Sequence, residues 1–499
     1  MYLGIDFGTG GCKAALLTWG HSTIQEARSE KHEYYLSSAA YKTYYGNTSS
    51  EVEQAPEDWW KALIKAVQMV TAKAQINPKD IKGIGLSGHS PSILPIGKHG
   101  EPLTRAIIWQ DARAVQEAQM LSETAEWKQS PTNFDAKVLW FKYKEPKIYQ
   151  KAKVFLQPKD YIALKLCGRI QIDSASASSW LTFDRKRRVW TSLSQGIDVE
   201  KLPEVVDPWE VIGELTADSA EILGLHPGIP IVSGSIDAFC EALGAGIIEE
   251  GQTCEVTGTS TCLLSCMQED LGMQHFVYQH VIPDKYLKIL TMSCTGGALK
   301  WFVDTFYRTR EKDDLIVKCL EELIPGTRPG AGGLIFLPYL CGERSPIWDP
   351  GAKGVFFGIS QEHTMADFLQ AILEGVAFGL KHNINELQRD GIAVGSIHAV
   401  GGASANAHWL QVKADVADRP FYKLAVNEGA LMGNIMLASF ATGYCQSFKR
   451  IVEEILITDE EYYPRKEYRE MYQQYFGVFK ELYPRLKDLF TVNQNIRKF

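Results

Sequence analysis

The sequence of 499 residues lacks a long apolar run, a basic excess and a paired-cysteine motif. No stretch approaches the ~20 apolar residues that a transmembrane helix requires. The formal net charge of −8 argues against a nucleic-acid-binding protein, whose surface needs a basic patch. The ten cysteines form no CxxC pair and show no zinc-ligand spacing, so we interpret them as thiols in a reducing cytoplasm. The first residues contain no basic region followed by an apolar one, and no signal peptide is expected.

The remaining composition is that of an ordinary globular protein. Hydrophobic residues make up 45% of the chain and charged residues 22%. A chain of this length exceeds what a single hydrophobic core organises, so two domains are expected. We place the boundary near residue 246, which gives an N-terminal domain of residues 1–245 and a C-terminal domain of residues 246–499.

The N-terminal stretch MYLGIDFGTGGCKAALL contains a short apolar strand, a glycine-rich turn and a second apolar run. The residues from Gly8 to Gly11 form the turn, where glycine permits a positive φ and close approach of a ligand to the backbone. Two interpretations are open at this point. The stretch is either a hairpin with a purely structural turn or a phosphate-binding hairpin with the Asp6 carboxylate at its mouth.

The rest of the first half follows an α/β pattern. A helix is predicted from Asp58 to Gln75, because apolar residues recur there at helical spacing. Strands are predicted over residues 81–87, 106–109 and 230–233, and polar residues follow each of them. Ligands of open α/β sheets bind at the carboxyl ends of the strands.

The second half of the chain contains a similar pattern. The stretch GQTCEVTGTSTCLLS at residues 251–265 predicts a strand, a Gly-Thr-Ser-Thr turn and a second strand, as in the N-terminal hairpin. Two such hairpins suggest a duplicated architecture with a cleft between the halves.

Seven motifs carry a resemblance to a known family. They are MYLGIDFGTGGCK, GSIDAFCEALGAG, VTGTSTC, SCTGGALKW, FLPYLCGERSP, GVFFGISQEHTMADFLQAILEGVAFGL and AVGGASANAHW. In this order and at these distances they resemble the FGGY family of carbohydrate kinases, from residue 1 to about residue 445. Residues 354–374 match the C-terminal signature of the family, whereas the stretch around Lys137 matches the N-terminal signature only in part. The resemblance implies an α/β fold of two domains, of the ribonuclease H-like or actin-like ATPase type, with the active site in the cleft between them.

The resemblance also implies ATP-dependent phosphorylation of a sugar hydroxyl with Mg²⁺. Such a reaction needs positioned phosphates, a metal ion and an oriented hydroxyl more than covalent chemistry from the protein. Asp237 matches the catalytic base of the family; its alternative role is to cap the helix that follows. Asp6 matches the residue that holds Mg²⁺, through water; its alternative role is to cap a turn.

The nucleotide-binding residues implied by the resemblance come from both halves of the chain. They are Gly8, Thr9, Gly10, Lys13, Gly258, Thr259, Ser260, Gly296, Gly402, Ala403 and Asn406. Glycine and hydroxyl turns form anion-binding concavities, and Lys13 supplies a cation for the transferring group. The loop from Gly402 to Asn406 resembles the adenosine loop, whose small residues leave room for the purine.

The sequence indicates less clearly which sugar is the substrate. Glycerol-phosphorylating members carry Arg-Glu and xylulokinases carry Met-His where this chain has Ser90 and Pro91. The overall pattern is closest to xylulokinases, which implies a pentulose such as xylulose; ribulose, erythritol and gluconate are alternatives. We expect Trp109 to form an apolar wall and Asp111 to bind hydroxyls. His89 either replaces the missing histidine or is a turn histidine satisfied by its neighbours.

Two other classes of function stay open: an actin-like or chaperone-like ATPase, and an inactive sugar sensor. The expected partners are a small sugar and ATP, with no nucleic acid and no membrane. The oligomeric state is open, and a homodimer is one alternative.

Overall fold

A computed structural model describes residues 1–18, 33–46, 48, 50–125, 127–192, 196–307 and 315–496. The chain divides into two compact units, each built from three separate stretches of sequence. The first unit contains Met1–Ile248, Gln268–Leu287 and Glu428–Leu456. The second unit contains Glu249–Met267, Lys288–Asn427 and Ile457–Phe499. A segment from the C-terminal part of the sequence therefore belongs to the first unit.

Strands and helices alternate along much of the described chain. The strands are β1 Tyr2–Gly8, β2 Gly11–Leu17, β3 Tyr34–Ala40, β4 Thr43–Tyr45, β5 Val52–Gln54, β6 Ile84–Gly88, β7 Leu94–Ile96, β8 Ala106–Ile107, β9 Val154–Leu156, β10 Gln171–Asp173, β11 Phe183–Asp184, β12 Val189–Trp190, β13 Glu204–Val206, β14 Val211–Glu214, β15 Pro230–Ile236, β16 Thr253–Thr257, β17 Thr261–Met267, β18 Val277–Gln279, β19 Tyr286–Met292, β20 Ile335–Leu337, β21 Val355–Phe357, β22 Ile397–Val400, β23 Phe421–Leu424 and β24 Thr458–Tyr462. The α-helices are Pro56–Ala74, Val115–Thr124, Phe134–Lys144, Pro146–Lys151, Pro158–Cys167, Ser174–Ala177, Ala217–Leu223, Asp237–Gly244, Gly296–Phe306, Leu315–Leu323, Met365–Arg389, Ala407–Ala417, Gly429–Ala441, Phe448–Ile455 and Arg469–Ile496. Short 3₁₀ helices cover Pro78–Asp80, Val199–Lys201, Met273–His275, Ile324–Gly326, Ala331–Gly333, Gly402–Ala405 and Lys466–Tyr468.

The elements predicted from the sequence are present with shifted ends. The first helix runs from Pro56 to Ala74, and proline is well tolerated at a first helical position because its missing N–H has no partner there. The strand expected over residues 106–109 is shorter and covers only Ala106–Ile107. Among the described ranges, none of the helices combines the length and the apolar character needed to cross a bilayer.

The central sheet of the first unit has six strands in the order β14–β15–β6–β1–β2–β3. Strand β1 pairs antiparallel with β2 and parallel with β6, and β6 pairs parallel with β15. The predicted N-terminal hairpin is confirmed, with Gly8 opposite Gly11 across a two-residue turn. Because β1, β6 and β15 run in the same direction, residues at their carboxyl ends lie at one edge of the sheet.

The hairpin glycines provide space rather than an unusual backbone angle. The positive φ that glycine permits is not adopted here, since none of Gly8, Gly10 and Gly11 has one. A Cβ on Gly11 would lie 2.6 Å from the backbone oxygen of Ala39, whereas a Cβ on Gly10 would meet no atom within 4 Å. Gly11 is therefore needed for the close approach of β3, and Gly10 leaves the tip of the turn open.

Glycines also let a helix pack closely on this sheet. The helix Gly429–Ala441 lies against β1 and β6, and a Cβ on Gly85 of β6 would lie 2.1 Å from the backbone oxygen of Asn434. The same helix packs against Asp237–Gly244, where a Cβ on Gly433 would lie 1.9 Å from a backbone oxygen of the facing helix. These contacts bring residues near position 430 to the carboxyl ends of the strands.

The second unit repeats the hairpin arrangement. Its strands β17, β16, β22, β23 and β24 lie side by side in that order. Strand β16 pairs antiparallel with β17 and parallel with β22, as β1 does with β2 and β6. The second predicted hairpin is confirmed, with Thr257 opposite Thr261 at its turn.

Candidate active site

Two carboxylates lie at the carboxyl ends of parallel strands in the first unit. Asp6, on β1, is buried, and its Oδ1 accepts a hydrogen bond of 2.7 Å from the Ser87 hydroxyl on β6. Asp237 follows β15, and its Oδ1 accepts a 2.8 Å bond from the backbone N–H of Ala238. Burial raises the pKa of Asp6. Burial and the charge of Asp6 raise the pKa of Asp237 to about 8.

Asp237 is the first helical residue of Asp237–Gly244, and Ile236 occupies the cap position. The alternative role as an N-cap is therefore not what the structure shows. A carboxylate in the first turn still interacts favourably with the helix dipole. That interaction stabilises the charged form, whereas burial and Asp6 oppose it.

Two further acidic residues belong to this site and were missed from the sequence. Glu241 lies one helical turn after Asp237, on the same face of the helix. Its pKa is raised to about 8 by burial first, and then by the carboxylates of Asp237, Asp6 and Glu428. Glu428 accepts bonds of 2.9 and 2.7 Å from Lys13 Nζ. The spacing of four residues was a usable signal for Glu241; nothing in the sequence near Asp6 or Asp237 points to Glu428.

We expect Glu241→Gln to stabilise the free protein at pH 8 by about 1–3 kcal/mol. The pKa of Glu241 in the folded protein lies above its ordinary 4.5. The folded state therefore binds more protons than the unfolded state between these values, and the free energy of unfolding decreases as the pH rises from about 4.5 to about 8. Urea unfolding without divalent cations would measure the gain, which should vanish below pH 4.5.

The exposed Glu221, changed to glutamine, provides the matched control and should leave the pH dependence unaltered. An equal gain at pH 4.5 and pH 8 for Glu241→Gln would contradict the assignment.

The turn of the N-terminal hairpin is held by neighbouring side chains. Trp109 Nε1 donates a 2.9 Å bond to the Thr9 hydroxyl, and Gln54 Nε2 donates a 2.8 Å bond to the Thr9 carbonyl. The Tyr41 hydroxyl donates to the carbonyl of Gly8. Trp109 thus lies directly beside the hairpin turn and keeps partial exposure.

His89 has partners within the protein. It is buried, with Nδ1 2.8 Å from the Ser92 hydroxyl and Nε2 3.1 Å from Gln54 Oε1. Burial first, and then the charge of Lys137, lower the pKa of His89 to about 3. Since Gln54 also holds Thr9, this neutral histidine supports the hairpin turn. The structure thus favours the turn-histidine interpretation.

Asp111 is also engaged elsewhere. Its carboxylate is completely buried and accepts bonds from the backbone N–H of Val52 and from the guanidinium and backbone N–H of Arg113. Arg113 Nη2 lies 2.7 Å from Asp111 Oδ2 and 2.9 Å from Glu53 Oε1. The expected binding of sugar hydroxyls by Asp111 does not fit this geometry, because Arg113 and Val52 already occupy the carboxylate.

In the second unit, the predicted nucleotide-binding turn is exposed at Gly258 and Thr259. The backbone N–H of Gly296 donates a 3.1 Å bond to the carbonyl of Gly258, and those of Thr295 and Gly297 each donate 3.0 Å bonds to the carbonyl of Thr259. A Cβ on Gly296 would lie 2.3 Å from the Gly258 oxygen. The structure therefore brings two of the predicted nucleotide segments into direct contact.

A buried polar network supports this turn. Lys413 Nζ lies 2.6 Å from Glu255 Oε1, and the Thr257 hydroxyl donates to the same oxygen. The hydroxyls of Thr257 and Thr261 are 2.7 Å apart, and Thr261 donates a 3.0 Å bond to Thr295. These hydroxyls connect both ends of the turn, Thr257 and Thr261, to Thr295. Thr295 belongs to the segment whose N–H groups donate to the carbonyls of the turn.

The third predicted segment follows β22. Gly401 has a φ of 86°, and its Cβ would lie 2.7 Å from the Thr257 oxygen, so glycine is required there. Gly402 and Ala403 form part of a 3₁₀ helix, and a Cβ on Gly402 would meet no atom within 4 Å. The Asn406 side chain accepts a 2.8 Å bond from the Trp409 N–H and caps the helix Ala407–Ala417.

We expect Gly402→Leu to raise the KM for ATP about tenfold or more, which corresponds to a loss of about 1.4 kcal/mol in binding. The leucine side chain would extend into space that the protein leaves open and that the purine would use. Steady-state kinetics at saturating sugar would measure the change, and circular dichroism would check the fold. Gly395, whose Cβ would also meet no atom within 4 Å, is the matched control as Gly395→Leu. An unchanged KM would remove this loop from the nucleotide site.

Family models match almost the whole described architecture. The N-terminal domain of the FGGY family of carbohydrate kinases matches residues 1–244, and its C-terminal domain matches residues 255–442. Together these matches cover the N-terminal hairpin, the turn of the second hairpin and every candidate site residue.

Individual relatives agree with the family match. The chain is 30% identical to a xylulose kinase of Bacillus subtilis over 516 residues, covering 99% of each chain. It is 29% identical to a xylulose kinase of Staphylococcus epidermidis over 497 residues, covering 98% of this chain and 97% of the relative. Among solved structures, a "xyloylose kinase" from Brucella ovis has a TM-score of 0.85 at 25% identity, covering 98% of this chain and 99% of that chain. A gluconate kinase from Lactobacillus acidophilus has a TM-score of 0.86 at 24% identity, covering 97% and 98%, and shows the same fold.

These matches and the solved structures agree with the observed fold of two α/β units of the actin-like ATPase type. The chain belongs to the FGGY family of carbohydrate kinases.

Proposed function

We propose that this carbohydrate kinase transfers the γ-phosphoryl group of ATP to a hydroxyl of a pentulose, with xylulose as the substrate and Mg²⁺ as the metal ion. The observation that carries the proposal is geometric: the Asp237 carboxyl follows β15, and parallel pairing through β6 places it at the same edge of the sheet as the Asp6 carboxylate on β1. A carboxylate within hydrogen-bond reach of a hydroxyl can orient it and take its proton. The xylulose kinases of Bacillus subtilis and Staphylococcus epidermidis support the choice of sugar.

In this reaction Asp237 accepts the proton of the attacking hydroxyl. The bond between the sugar oxygen and the γ-phosphorus forms as the bond from that phosphorus to the bridging oxygen breaks, which releases ADP. The hydrogen bond from Ala238 fixes one oxygen of Asp237, and the other oxygen is the one we assign to the sugar.

Asp6 is the residue that would hold the metal ion. The described part of the chain contains no cluster of three or more side chains that could bind a metal. A single hard carboxylate fits Mg²⁺, which keeps several waters and takes its other ligands from phosphates. When bound, the ion would neutralise negative charge that develops on the phosphates. Asp6 keeps its orientation through the Ser87 hydroxyl.

We assign the phosphates to the two hairpin turns and Lys13. Lys13 Nζ is bound to Glu428 in the structure, 2.7 and 2.9 Å from its two oxygens, and both side chains are partly exposed. A phosphate that reaches Lys13 would compete with Glu428 for the same ammonium group. In the second unit, the turn is exposed at Gly258 and Thr259 and half-buried at Ser260. We assign Gly296, Gly402, Ala403 and Asn406 to the nucleotide, because Gly296 bonds to this turn and the loop after β22 approaches it at Thr257.

On the sugar side we assign Trp109, whose indole stays partly exposed while its N–H holds Thr9. His89 and Asp111 take supporting roles in this proposal, because their polar atoms already have partners in the protein. The ten cysteines, scattered along the chain, fit a reducing compartment such as the cytoplasm.

A coupled ADP-release assay across ketoses, polyols and sugar acids tests the proposal. We expect the highest kcat/KM with xylulose and a phosphorylated product by mass spectrometry. Higher turnover with gluconate would favour an activity like that of the Bacillus licheniformis gluconokinase, which is 26% identical over 521 residues. Unstimulated ATP hydrolysis with every sugar would indicate the other class of ATPase, and sugar binding without product would indicate a sensor.

A further inference from the structure

A buried asparagine from the C-terminal part of the sequence reaches the Asp6 carboxylate through one hydroxyl. Asn434 Nδ2 donates bonds of 2.8 Å to the carbonyl of Ile5 and 2.7 Å to the Ser87 hydroxyl oxygen. Ser87 in turn donates a 2.7 Å bond to Asp6 Oδ1. Asn434 and Ser87 are fully buried, and Asp6 is nearly so.

The donors and acceptors of these three residues determine the direction of the hydrogen bonds between them. The carbonyl of Ile5 can only accept, so the amide nitrogen of Asn434 must face it. Ser87 has a single proton, and because its oxygen accepts from Asn434, that proton is left for Asp6. The carboxylate of Asp6 is thereby held in one orientation on β1.

Packing alone does not explain the asparagine. Its Oδ1 atom is buried and has no hydrogen-bond partner among the described residues. A buried polar atom without a partner is destabilising, and in a native protein it calls for a reason. The close approach of the helix Gly429–Ala441 at Gly85 is what allows the amide to reach β1 and β6.

We propose that Asn434 is a positioning residue for Asp6: through Ser87 it orients the carboxylate toward the metal ion. The proposal rests on the proposed function, in which Asp6 holds Mg²⁺. Side chains that orient metal ligands typically contribute 10–100-fold to metal affinity or activity.

Two variants test it separately. Asn434→Leu keeps the approximate volume and removes the donor, and Ser87→Ala removes the hydroxyl. With Mn²⁺ as the probe in the ADP complex, electron paramagnetic resonance should show metal binding weakened about 10–100-fold in each variant. The double variant should bind Mn²⁺ no more weakly than the worse single variant, because both substitutions break the same series of hydrogen bonds. If Asn434→Leu fails to fold, Ser87→Ala carries the test alone.

Ser439→Ala is the matched control, since Ser439 is fully buried on the same helix and its hydroxyl donates to Met436 instead. It should leave Mn²⁺ binding unchanged. Wild-type Mn²⁺ binding in folded Asn434→Leu and Ser87→Ala, or additive losses in the double variant, would overturn the positioning role. Asp6→Asn distinguishes the role of Asn434 from the metal site itself: loss of Mn²⁺ binding in that variant with no loss in the other two rejects only the role of Asn434. Unchanged binding in Asp6→Asn rejects both that role and the metal site.

Discussion

Asp237→Asn is expected to lower the rate of phosphoryl transfer by about 10²–10⁴ while ATP still binds. The amide cannot accept the hydroxyl proton, but it keeps the shape of the carboxyl and the bond from Ala238. Single-turnover measurement of sugar phosphate would give the rate, and calorimetric titration with a non-hydrolysable ATP analogue would give the nucleotide affinity.

Measuring the stability of Asp237→Asn distinguishes loss of the catalytic base from loss of the fold. Asp237→Asn removes a carboxylate whose pKa burial and Asp6 raise, so the free protein should unfold at a higher urea concentration at pH 8. Asp218→Asn is the matched control, because Asp218 also lies in the first turn of a helix but is exposed. Near-normal turnover in Asp237→Asn would show that another group takes the proton.

Gly296→Ala should lower kcat/KM for ATP by about 10²-fold, the loss in rate that a displacement of about 1 Å can cause. The new methyl group would start 2.3 Å from the Gly258 oxygen, so the exposed turn must move away from the helix Gly296–Phe306. That movement also strains the bonds from Thr295 and Gly297 to Thr259. Initial rates over a range of ATP concentrations would measure it.

Gly477→Ala is the corresponding control in the second unit. Gly477 lies within the helix Arg469–Ile496, and its Cβ would meet no atom within 4 Å, so alanine should leave kcat/KM for ATP unchanged. A wild-type kcat/KM for ATP in Gly296→Ala would mean that this turn does not hold the phosphates.

Local sequence patterns predicted where Asp6 and Asp237 lie in the fold, whereas their proposed roles come from the resemblance of their motifs to the family. Asp6 lies near the end of the apolar strand β1 and Asp237 directly follows β15, and parallel pairing through β6 brings the ends of those strands together. Glu241 was detectable in the same way, since residues four apart share a helix face. Both glycine hairpins and the α/β class also came from local patterns.

What the sequence could not predict depends on partners distant in the chain. Asn434 and Glu428 reach the site because a helix from the C-terminal part of the sequence packs on β1 and β6. Asp111 is a plausible sugar ligand by residue type, but Arg113 and the backbone of Val52 occupy it once β5 lies alongside. The residue type determines which hydrogen bonds a side chain can make. Its neighbours in the fold determine which of its lone pairs stay available to a ligand.

The helix Gly429–Ala441 has a consequence for the order of events during synthesis on the ribosome. A nascent chain that has emerged only to residue 427 contains β1, β6 and β15 but not the helix that covers β1 and β6. The glycines at positions 4 and 85 would then leave the backbone of these strands open to water or to other chains. The first unit to be translated is therefore completed late, and a fragment of residues 1–248 would lack part of its own core.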